Sequence, residues 1–145
     1  MNIELERVNW KEYTDPFCKV SLTLGVHRDT LTLLWNVTES EARAVCAKDF
    51  ENVWEDSCVE FFVSIGDDPN YYNIECNCIG TMYMCYGAGR EGRTRVPQDV
   101  LDSIRRHSSL GREPFTLQSG PLDWSLEMSL PLPAFCFHKI ASFEA

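Results

Sequence analysis

Residues 57–65 read Ser-Cys-Val-Glu-Phe-Phe-Val-Ser-Ile, and this stretch decides the fold class. Its apolar side chains Val59, Phe61, Val63 and Ile65 recur at every second position, which is the period of a β-strand with one buried face. Glu60 falls on the opposite face. Residues 66–70, Gly-Asp-Asp-Pro-Asn, are turn formers that end the predicted strand.

Similar short runs recur along the whole chain. A hairpin is indicated where two β-prone runs flank the polar turn His27-Arg28-Asp29. The predicted strands cover residues 18–26, 30–37, 57–65, 71–84 with an interruption near Gly80, 115–118 and 124–130. Several short strands separated by turns favour an all-β fold, namely an antiparallel, jelly-roll-like β-sandwich.

Two segments depart from this pattern. Residues 97–109 begin with a proline, carry acidic residues early and basic residues late, and so predict one short helix. Its final basic residues, Arg105, Arg106 and His107, are interpreted as complementing the helix dipole. The composition of residues 38–48 is compatible with a helical turn or with a loop.

Length and composition limit the number of domains and the kinds of partner. The chain has 145 residues, of which 44% are apolar, and this suits one domain over residues 1–145. Its net charge of −9 disfavours nucleic acid and anionic membrane as partners, because both require clustered basic residues. No apolar run approaches the roughly 20 residues of a membrane-spanning helix.

The cysteines bear on the compartment. Their number, seven, is odd and favours free buried thiols over a closed disulfide framework, which suits a reducing environment. The first residues lack the basic start and apolar stretch of a secretory signal. Localisation therefore stays open: cytoplasmic if the chain is complete, secreted or periplasmic if a signal was removed.

The residues with the clearest binding chemistry surround the strand quoted first. Trp54 precedes it, and an indole offers a flat apolar surface to the C–H face of a pyranose. Glu60, on the polar face, can accept hydrogen bonds from sugar hydroxyls. The alternative is that Trp54 is a core residue and Glu60 a solvated one.

The next strand and the loop after it add further candidates. Asn73, Glu75 and Asn77 would share one face, one strand over from Glu60, and amides and carboxylates suit the recognition of hydroxyls. Arg90 and Arg93, in a Gly-rich loop, could reach a sugar or an acidic substituent bidentately. The alternatives are a hydrated outer face and a solvated loop.

Three stretches in this order resemble the family 9 carbohydrate-binding modules, and in particular the family 9-like domains of the Bacteroidetes type. They are Trp54 to Val63, Tyr71 to Thr81 and Trp124 to Leu132, and the similarity extends from Val8-Asn9-Trp10 to Phe135. The resemblance implies a non-catalytic β-sandwich that binds a mono- or oligosaccharide between two aromatic side chains.

The resemblance also implies residue roles. Trp54 matches the family's first stacking aromatic and Glu60 its hydrogen-bonding carboxylate. Glu75 and Asn77 lie on a strand that also contributes polar contacts in the family and rank below them, while Arg90 is a candidate from its residue type alone. In the family, the second stacking aromatic comes from a segment after the strand that matches Trp124 to Leu130. Since the chain stops at Ala145, we expect residues 1–145 to lack that C-terminal segment.

Other functions compete with sugar binding. A glycoside hydrolase would use two carboxylates among Glu60, Glu75 and Glu127. An interaction or scaffold domain with a decayed sugar site is a second alternative. A haem protein, with Met82, Met84 or Met128 as ligand, is a third. We expect no cofactor; some related modules hold a structural Ca²⁺, for which the candidate ligands are Asp56, Asp67 and Asp68.

Overall fold

A computed structural model describes residues 1–6 and 14–143 of the chain. The described residues form nine β-strands, one α-helix and two single-turn 3₁₀ helices, Val53–Glu55 and Leu132–Ala134. The strands are β1 Asn2–Leu5, β2 Lys19–His27, β3 Thr30–Ala44, β4 Cys58–Val63, β5 Tyr71–Asn77, β6 Met82–Gly87, β7 Thr94–Arg95, β8 Arg105–Ser108 and β9 Phe115–Pro131. The helix α1 is Gln98–Ser103.

The strands form two antiparallel sheets. The order in the five-stranded sheet is β1-β2-β3-β9-β8, and the order in the four-stranded sheet is β4-β5-β6-β7. Apolar side chains from one face of each sheet pack into a single buried cluster. The predicted all-β sandwich is therefore confirmed.

Strand alternation explains the core. In β3 and β9, the facing pairs Leu33 with Met128 and Trp35 with Leu126 are all buried. Opposite them, β5 contributes Tyr72, Ile74 and Cys76, which have no exposed surface. Because successive residues of a strand point to opposite faces, burying these side chains leaves Asn73 and Glu75 on the outer face of the four-stranded sheet.

The hairpin predicted around residues 27–29 is confirmed. β2 and β3 pair from Lys19 with Thr38 to His27 with Thr30, and Arg28 at the turn has a positive φ of 53°. The predicted strands at residues 57–65 and 71–84 are also present, as β4 and as β5 with β6. The turn between β5 and β6 contains Gly80, whose φ of 86° suits glycine.

The helix prediction over residues 97–109 was too long. α1 ends at Ser103, and residues 105–108 form β8, because pairing with β9 supplies their backbone hydrogen bonds. Arg106 therefore complements no helix dipole. Its guanidinium is partly buried and makes a bidentate ion pair with Asp49, with N···O distances of 2.7 and 3.1 Å.

Two other segments also differ from expectation. Residues 38–44 are neither a helical turn nor a loop, since β3 continues through two irregularities to Ala44 against β9. The strands predicted at 115–118 and 124–130 are a single strand, β9. In both cases long-range pairing overrides the local sequence. Within the part of the chain that is described, no helix is long and apolar enough to cross a membrane.

Candidate functional site

The outer face of the four-stranded sheet forms a cleft of about 530 Å³. Its position follows from strand register: Glu60 of β4 lies opposite Glu75 of β5, and Glu75 lies opposite Tyr83 of β6. One step along the strands, Phe62 lies opposite Asn73. The cleft is lined by Trp54, Glu60, Phe62, Asn73, Glu75, Tyr83, Arg90, Gly92 and Arg93.

Trp54 stands at the edge of this cleft and is not a core residue. Its side chain is on the 3₁₀ helix before β4, and 47% of the residue surface is exposed. The neighbouring Val53 is fully buried and anchors that turn. The Trp54 ring meets Tyr83 edge-on, with 5.3 Å between centroids, and Tyr83 meets Phe50 in the same way. One face of the indole can thus remain available to a ligand.

A buried carboxylate holds the Trp54 turn in place. Asp56 accepts hydrogen bonds from the backbone N–H groups of Val45 and Cys46 and from the amide of Asn77, at 2.9 to 3.0 Å. Burial raises the pKa of Asp56, but these hydrogen bonds outweigh that effect and hold its pKa below the usual value. Asp56 therefore stays ionised and fixes the entry to β4.

Asn77 lies outside the cleft, although sequence analysis made it a binding candidate. Its amide nitrogen donates to Asp56 and to the carbonyl of Cys46, and its Oδ1 accepts from the N–H of Thr81 at 2.8 Å. The residue is completely buried. The structure therefore places Asn77 behind Trp54 as a support, because its hydrogen-bonding groups already have protein partners.

Two carboxylates lie side by side in the cleft. Glu60 and Glu75 are a directly opposed cross-strand pair, whose Cβ atoms are typically about 4.5–5.5 Å apart. Partial burial raises the pKa of Glu60, the negative charge of Glu75 raises it further, and Arg90 and Arg93 partly offset both effects. Like charges so close to each other favour a ligand that donates hydrogen bonds.

The floor of the cleft contains hydrogen-bond acceptors that have no partner in the protein. Asn73 donates from its amide nitrogen to Glu75 Oε1 at 2.6 Å. The other oxygens of these two buried residues, Asn73 Oδ1 and Glu75 Oε2, have no partner. Buried polar atoms are nearly always paired in proteins, so two acceptors without protein partners beside an open cleft take their donor from water or from a ligand.

The loop after β6 covers one side of the cleft. Arg93 donates to the carbonyl of Gly89 at 2.6 Å and to the hydroxyl of Tyr71 at 2.5 Å, which holds the loop against the sheet. Arg90 is exposed on the cleft wall. Of the predicted site residues, Trp54, Glu60, Glu75 and Arg90 therefore come together.

Phe62 and Tyr83 were not among the residues predicted for the site, and Asn73 was predicted only to share a face with Glu75. The sequence could have predicted Phe62 as an exposed aromatic, because it shares the face of Glu60 in a strictly alternating strand. Tyr83 carries no such signal, since its contact with Trp54 depends on the pairing of β5 with β6.

Several residues on which the competing functions would depend lie outside the cleft. Glu127 lies on β9 in the other sheet, opposite His107. Met82, Met84 and Met128 are core residues with at most 1% exposure.

All seven cysteines are free, and burial raises the pKa of Cys76 and Cys78 to about 12, which keeps these thiols protonated. No three His, Cys, Asp or Glu side chains among residues 1–6 and 14–143 are grouped to hold a metal ion.

Comparison with known proteins places this geometry in a family. The sequence model of carbohydrate-binding family 9 matches residues 1–145. The chain belongs to carbohydrate-binding family 9. The family predicted from the three sequence stretches is thus confirmed, although Val8 to Trp10, where the resemblance begins, lie outside the described residues. Domains of this family are generally non-catalytic binding modules.

A solved structure supports the same placement of this family 9 chain. It is the crystal structure of a proposed carbohydrate-binding protein from Bacteroides uniformis, which is 41% identical and superposes with a TM-score of 0.92. The match covers 99% of this chain and 66% of the Bacteroides uniformis chain, so the family 9 chain spans about two thirds of that protein's length. No curated protein matches at a significant level.

Proposed function

We propose that this family 9 chain is a non-catalytic module that binds a mono- or oligosaccharide reversibly in the cleft of the four-stranded sheet. Family membership supports sugar as the class of ligand, and so does the similarity to the Bacteroides uniformis protein, itself a proposed carbohydrate-binding protein. The cleft volume of about 530 Å³ lies within the usual range of small-molecule sites, about 300–1,000 Å³.

The observation that carries the proposal is the pair of unpaired oxygens in the floor of the cleft. Asn73 Oδ1 and Glu75 Oε2 are buried acceptors without donors. A buried acceptor left unpaired costs about 1–3 kcal/mol, and a ligand that supplies a hydroxyl recovers much of this. Sugars carry several hydroxyls on adjacent carbons, which suits neighbouring acceptors.

Trp54 supplies the apolar part of the proposed site. A pyranose has one face made of C–H groups, and this face can pack on the exposed side of the indole. Glu60 lies on β4, four residues after Asp56. It would then accept a hydrogen bond from a hydroxyl at the edge of the sugar ring. Arg90 would donate to sugar oxygens from the cleft wall.

The same arrangement disfavours catalysis. A glycosidase needs two carboxyl groups that flank the scissile bond from different sides. Glu60 and Glu75 instead neighbour each other on one sheet face, and Glu127 belongs to the other sheet. We expect no turnover of chromogenic glycosides. Neutral sugars, and neither nucleic acid nor anionic membrane, are the proposed partners, because the net charge is −9.

The test is isothermal titration of a panel of mono- and oligosaccharides with the natural protein and with Trp54→Ala. We expect weak, reversible binding that falls at least about tenfold in the variant, equivalent to about 1.4 kcal/mol. Leu117→Ala is the matched control, since Leu117 is also an exposed apolar residue, 57% against 47% for Trp54, and lies on β9 away from the cleft. Equal affinity for Trp54→Ala and the natural protein would place the site elsewhere.

Absence of binding to every sugar at millimolar concentration would refute the proposal. The cleft would then be a relic of sugar binding in an interaction or scaffold domain. A circular dichroism spectrum and a thermal melt of each variant distinguish loss of a contact from loss of the fold.

A further inference from the structure

We infer that Phe50 and Arg95 are positioning residues, which act through Tyr83 to hold the Trp54 ring in a fixed orientation. Neither residue is among those that line the cleft. The inference rests on the proposed function, because it concerns how the stacking surface of the proposed site is kept in place. It follows from a strained backbone at Phe50 and from a cation that contacts two aromatic rings at once.

The backbone at Phe50 has an unfavourable conformation. Its φ is 68°, in the left-handed region, where bulky side chains are rare. Among residues 1–6 and 14–143, the other non-glycine residue with a positive φ is Arg28, which lies in a tight hairpin turn where such angles are common. Phe50 lies between β3 and β4, which belong to different sheets, so no hairpin requires its angle. Strained residues of this kind cluster at functional sites.

Hydrogen bonds on both sides of Phe50 hold this conformation. Its own N–H donates to the carbonyl of Met82 at 2.9 Å, and the N–H of Met82 donates to Asp49 at 2.9 Å. Glu51 accepts from the backbone N–H groups of residues 47 and 48, at 2.9 and 3.0 Å. These bonds tie the loop to β6 and keep the unfavourable φ in place.

The Phe50 ring begins a row of aromatic contacts that ends at Trp54. Phe50 meets Tyr83 with 5.8 Å between ring centroids, and Tyr83 meets Trp54 with 5.3 Å. The interplanar angles, 78° and 85°, are those of the edge-to-face geometry that aromatic pairs favour. Because rotation of the Trp54 ring would break its contact with Tyr83, the position of Tyr83 bears on the orientation of Trp54.

Arg95 holds Phe50 and Tyr83 together. Its guanidinium carbon is 5.0 Å from the centre of the Phe50 ring and 5.4 Å from that of Tyr83. Both distances fall within the roughly 6 Å of a cation–π interaction. Arg95 lies on β7 opposite Cys85 of β6, and strand pairing therefore places its side chain on the same sheet face as Tyr83. One exposed cation thus bridges the two rings that support Trp54.

The consequence for binding is entropic. An exposed indole that rotates freely loses this freedom when a ligand stacks on it, and the loss weakens binding. A Trp54 ring that its neighbours already hold loses less. Phe50 and Arg95 therefore raise the affinity for a ligand that they do not contact.

The first experiment measures the mobility of Trp54 without any sugar, by NMR relaxation of the tryptophan indole N–H groups. The Trp54 signal is assigned from its loss in Trp54→Ala. In the natural protein we expect an order parameter near that of rigid backbone, about 0.85. Phe50→Ala and Arg95→Met should lower it to about 0.6 or below. Trp35 and Trp124, which are at most 4% exposed, should keep their values.

Two further variants are controls for this measurement. Arg105→Met changes another exposed arginine in an edge strand, β8, and should leave the Trp54 signal unchanged. Arg95→Lys keeps a cation beside the rings and should retain most of the order. If Phe50→Ala and Arg95→Met both leave the Trp54 order parameter at its natural value, the inference is wrong, whatever these variants do to stability.

Phe50→Gly separates the backbone strain from the contribution of the ring. Glycine and alanine both lack the ring, but only glycine adopts a positive φ without a steric penalty. Phe50→Gly should therefore melt at a higher temperature than Phe50→Ala, which reverses the usual order of these two residues, while the mobility of Trp54 rises equally in both. A lower melting temperature for Phe50→Gly would contradict the strain assigned to this position.

The second experiment links the inference to sugar affinity, with glucose, mannose, xylose and cellobiose as probes. For the sugar that binds most tightly, Phe50→Ala and Arg95→Met should each weaken binding about threefold or more, and Arg105→Met should not. If sugars bind and both variants match the natural protein, the inference fails and the proposed function stands. If none of the four sugars binds, the proposed function fails, and the order parameter alone decides whether Phe50 and Arg95 hold Trp54.

Discussion

The outer faces of the two sheets each carry a polar concavity, but the two concavities differ in chemistry. The five-stranded sheet has a concavity of about 430 Å³, close to the 530 Å³ of the cleft on the four-stranded sheet. Its lining is polar, with Ser21, Asn36, Thr38, Asp123 and Ser125 among the residues. Volume alone would make both faces candidates for binding.

The two faces differ in whether their buried polar side-chain atoms have hydrogen-bond partners in the protein. On the five-stranded face the Thr38 hydroxyl donates to Asp123 at 2.6 Å, and the N–H of Ser125 donates to Ser109 Oγ at 2.9 Å. Among described residues, the buried unpaired side-chain atoms are Trp35 Nε1 in the core and the two oxygens in the cleft. The candidate cleft thus differs from the five-stranded concavity in that its floor contains buried acceptors without protein partners.

The tryptophans show the same contrast. Trp124, beside the five-stranded concavity, is only 4% exposed, and its Nε1 donates to Glu39 at 2.7 Å. Trp54 in the cleft is 47% exposed and makes its ring contact with Tyr83 edge-on. The first ring stabilises the fold, whereas the second leaves surface for a ligand.

The largest expected difference between the faces concerns stability. Asp56→Ala should lower the free energy of unfolding by about 3 kcal/mol or more, because it leaves two backbone N–H groups and one of the two N–H donors of the Asn77 amide unpaired in a buried site. Asp123→Ala, on the five-stranded face, removes one exposed hydrogen bond and should cost less than about 1 kcal/mol. Urea unfolding measures both, and equal losses would contradict the role given to Asp56.

A smaller difference is expected for sugar affinity. Glu75→Gln keeps the shape of the side chain but replaces a charged acceptor with an amide, and should weaken binding about tenfold. Asp123→Asn is the matched change on the other face, and should leave affinity within about twofold. Titration with the best ligand of the panel decides between them. A loss caused by Asp123→Asn would mean that sugar binds to the five-stranded sheet.

The smallest effect is a shift in pH dependence. Because burial and the charge of Glu75 hold the pKa of Glu60 above its usual 4.5, affinity should decline as the pH falls through this raised value. The sign follows from chemistry, since a protonated carboxyl loses acceptor capacity for sugar hydroxyls. Glu75→Gln should move the decline to lower pH, as it removes one cause of the shift. Titrations between pH 3.5 and 7 would refute this if both proteins gave the same midpoint.

Sequence patterns predicted the elements that depend on local alternation. The strand around Glu60, the hairpin at residues 27–29 and the β5–β6 pair could be located because one face of each strand is apolar. Arg105 to His107 could not, since their basic charge suits a helix end while their backbone pairs with β9. The strand conformation of residues 38–44 was not predicted for the same reason, because its partner strand is far away in the sequence.

The site shows the same division. Alternation predicted Glu60 and the face that holds Asn73, Glu75 and Asn77, and the resemblance to the family predicted Trp54. Separating Asn77 from the other two required the position of Asp56, which lies 21 residues away and takes up the Asn77 amide. The two unpaired oxygens were also invisible in the sequence, because pairing is a property of the folded surroundings and not of the residue type.

The sequence by itself determined the all-β class, the faces of the main strands and the family, since alternation and motif order are local properties of the chain. Only the tertiary structure decided which concavity has buried acceptors without protein partners, which tryptophan remains exposed and that Phe62 lies opposite Asn73. The physical reason is that hydrogen-bond satisfaction and burial depend on neighbours brought together by strand register.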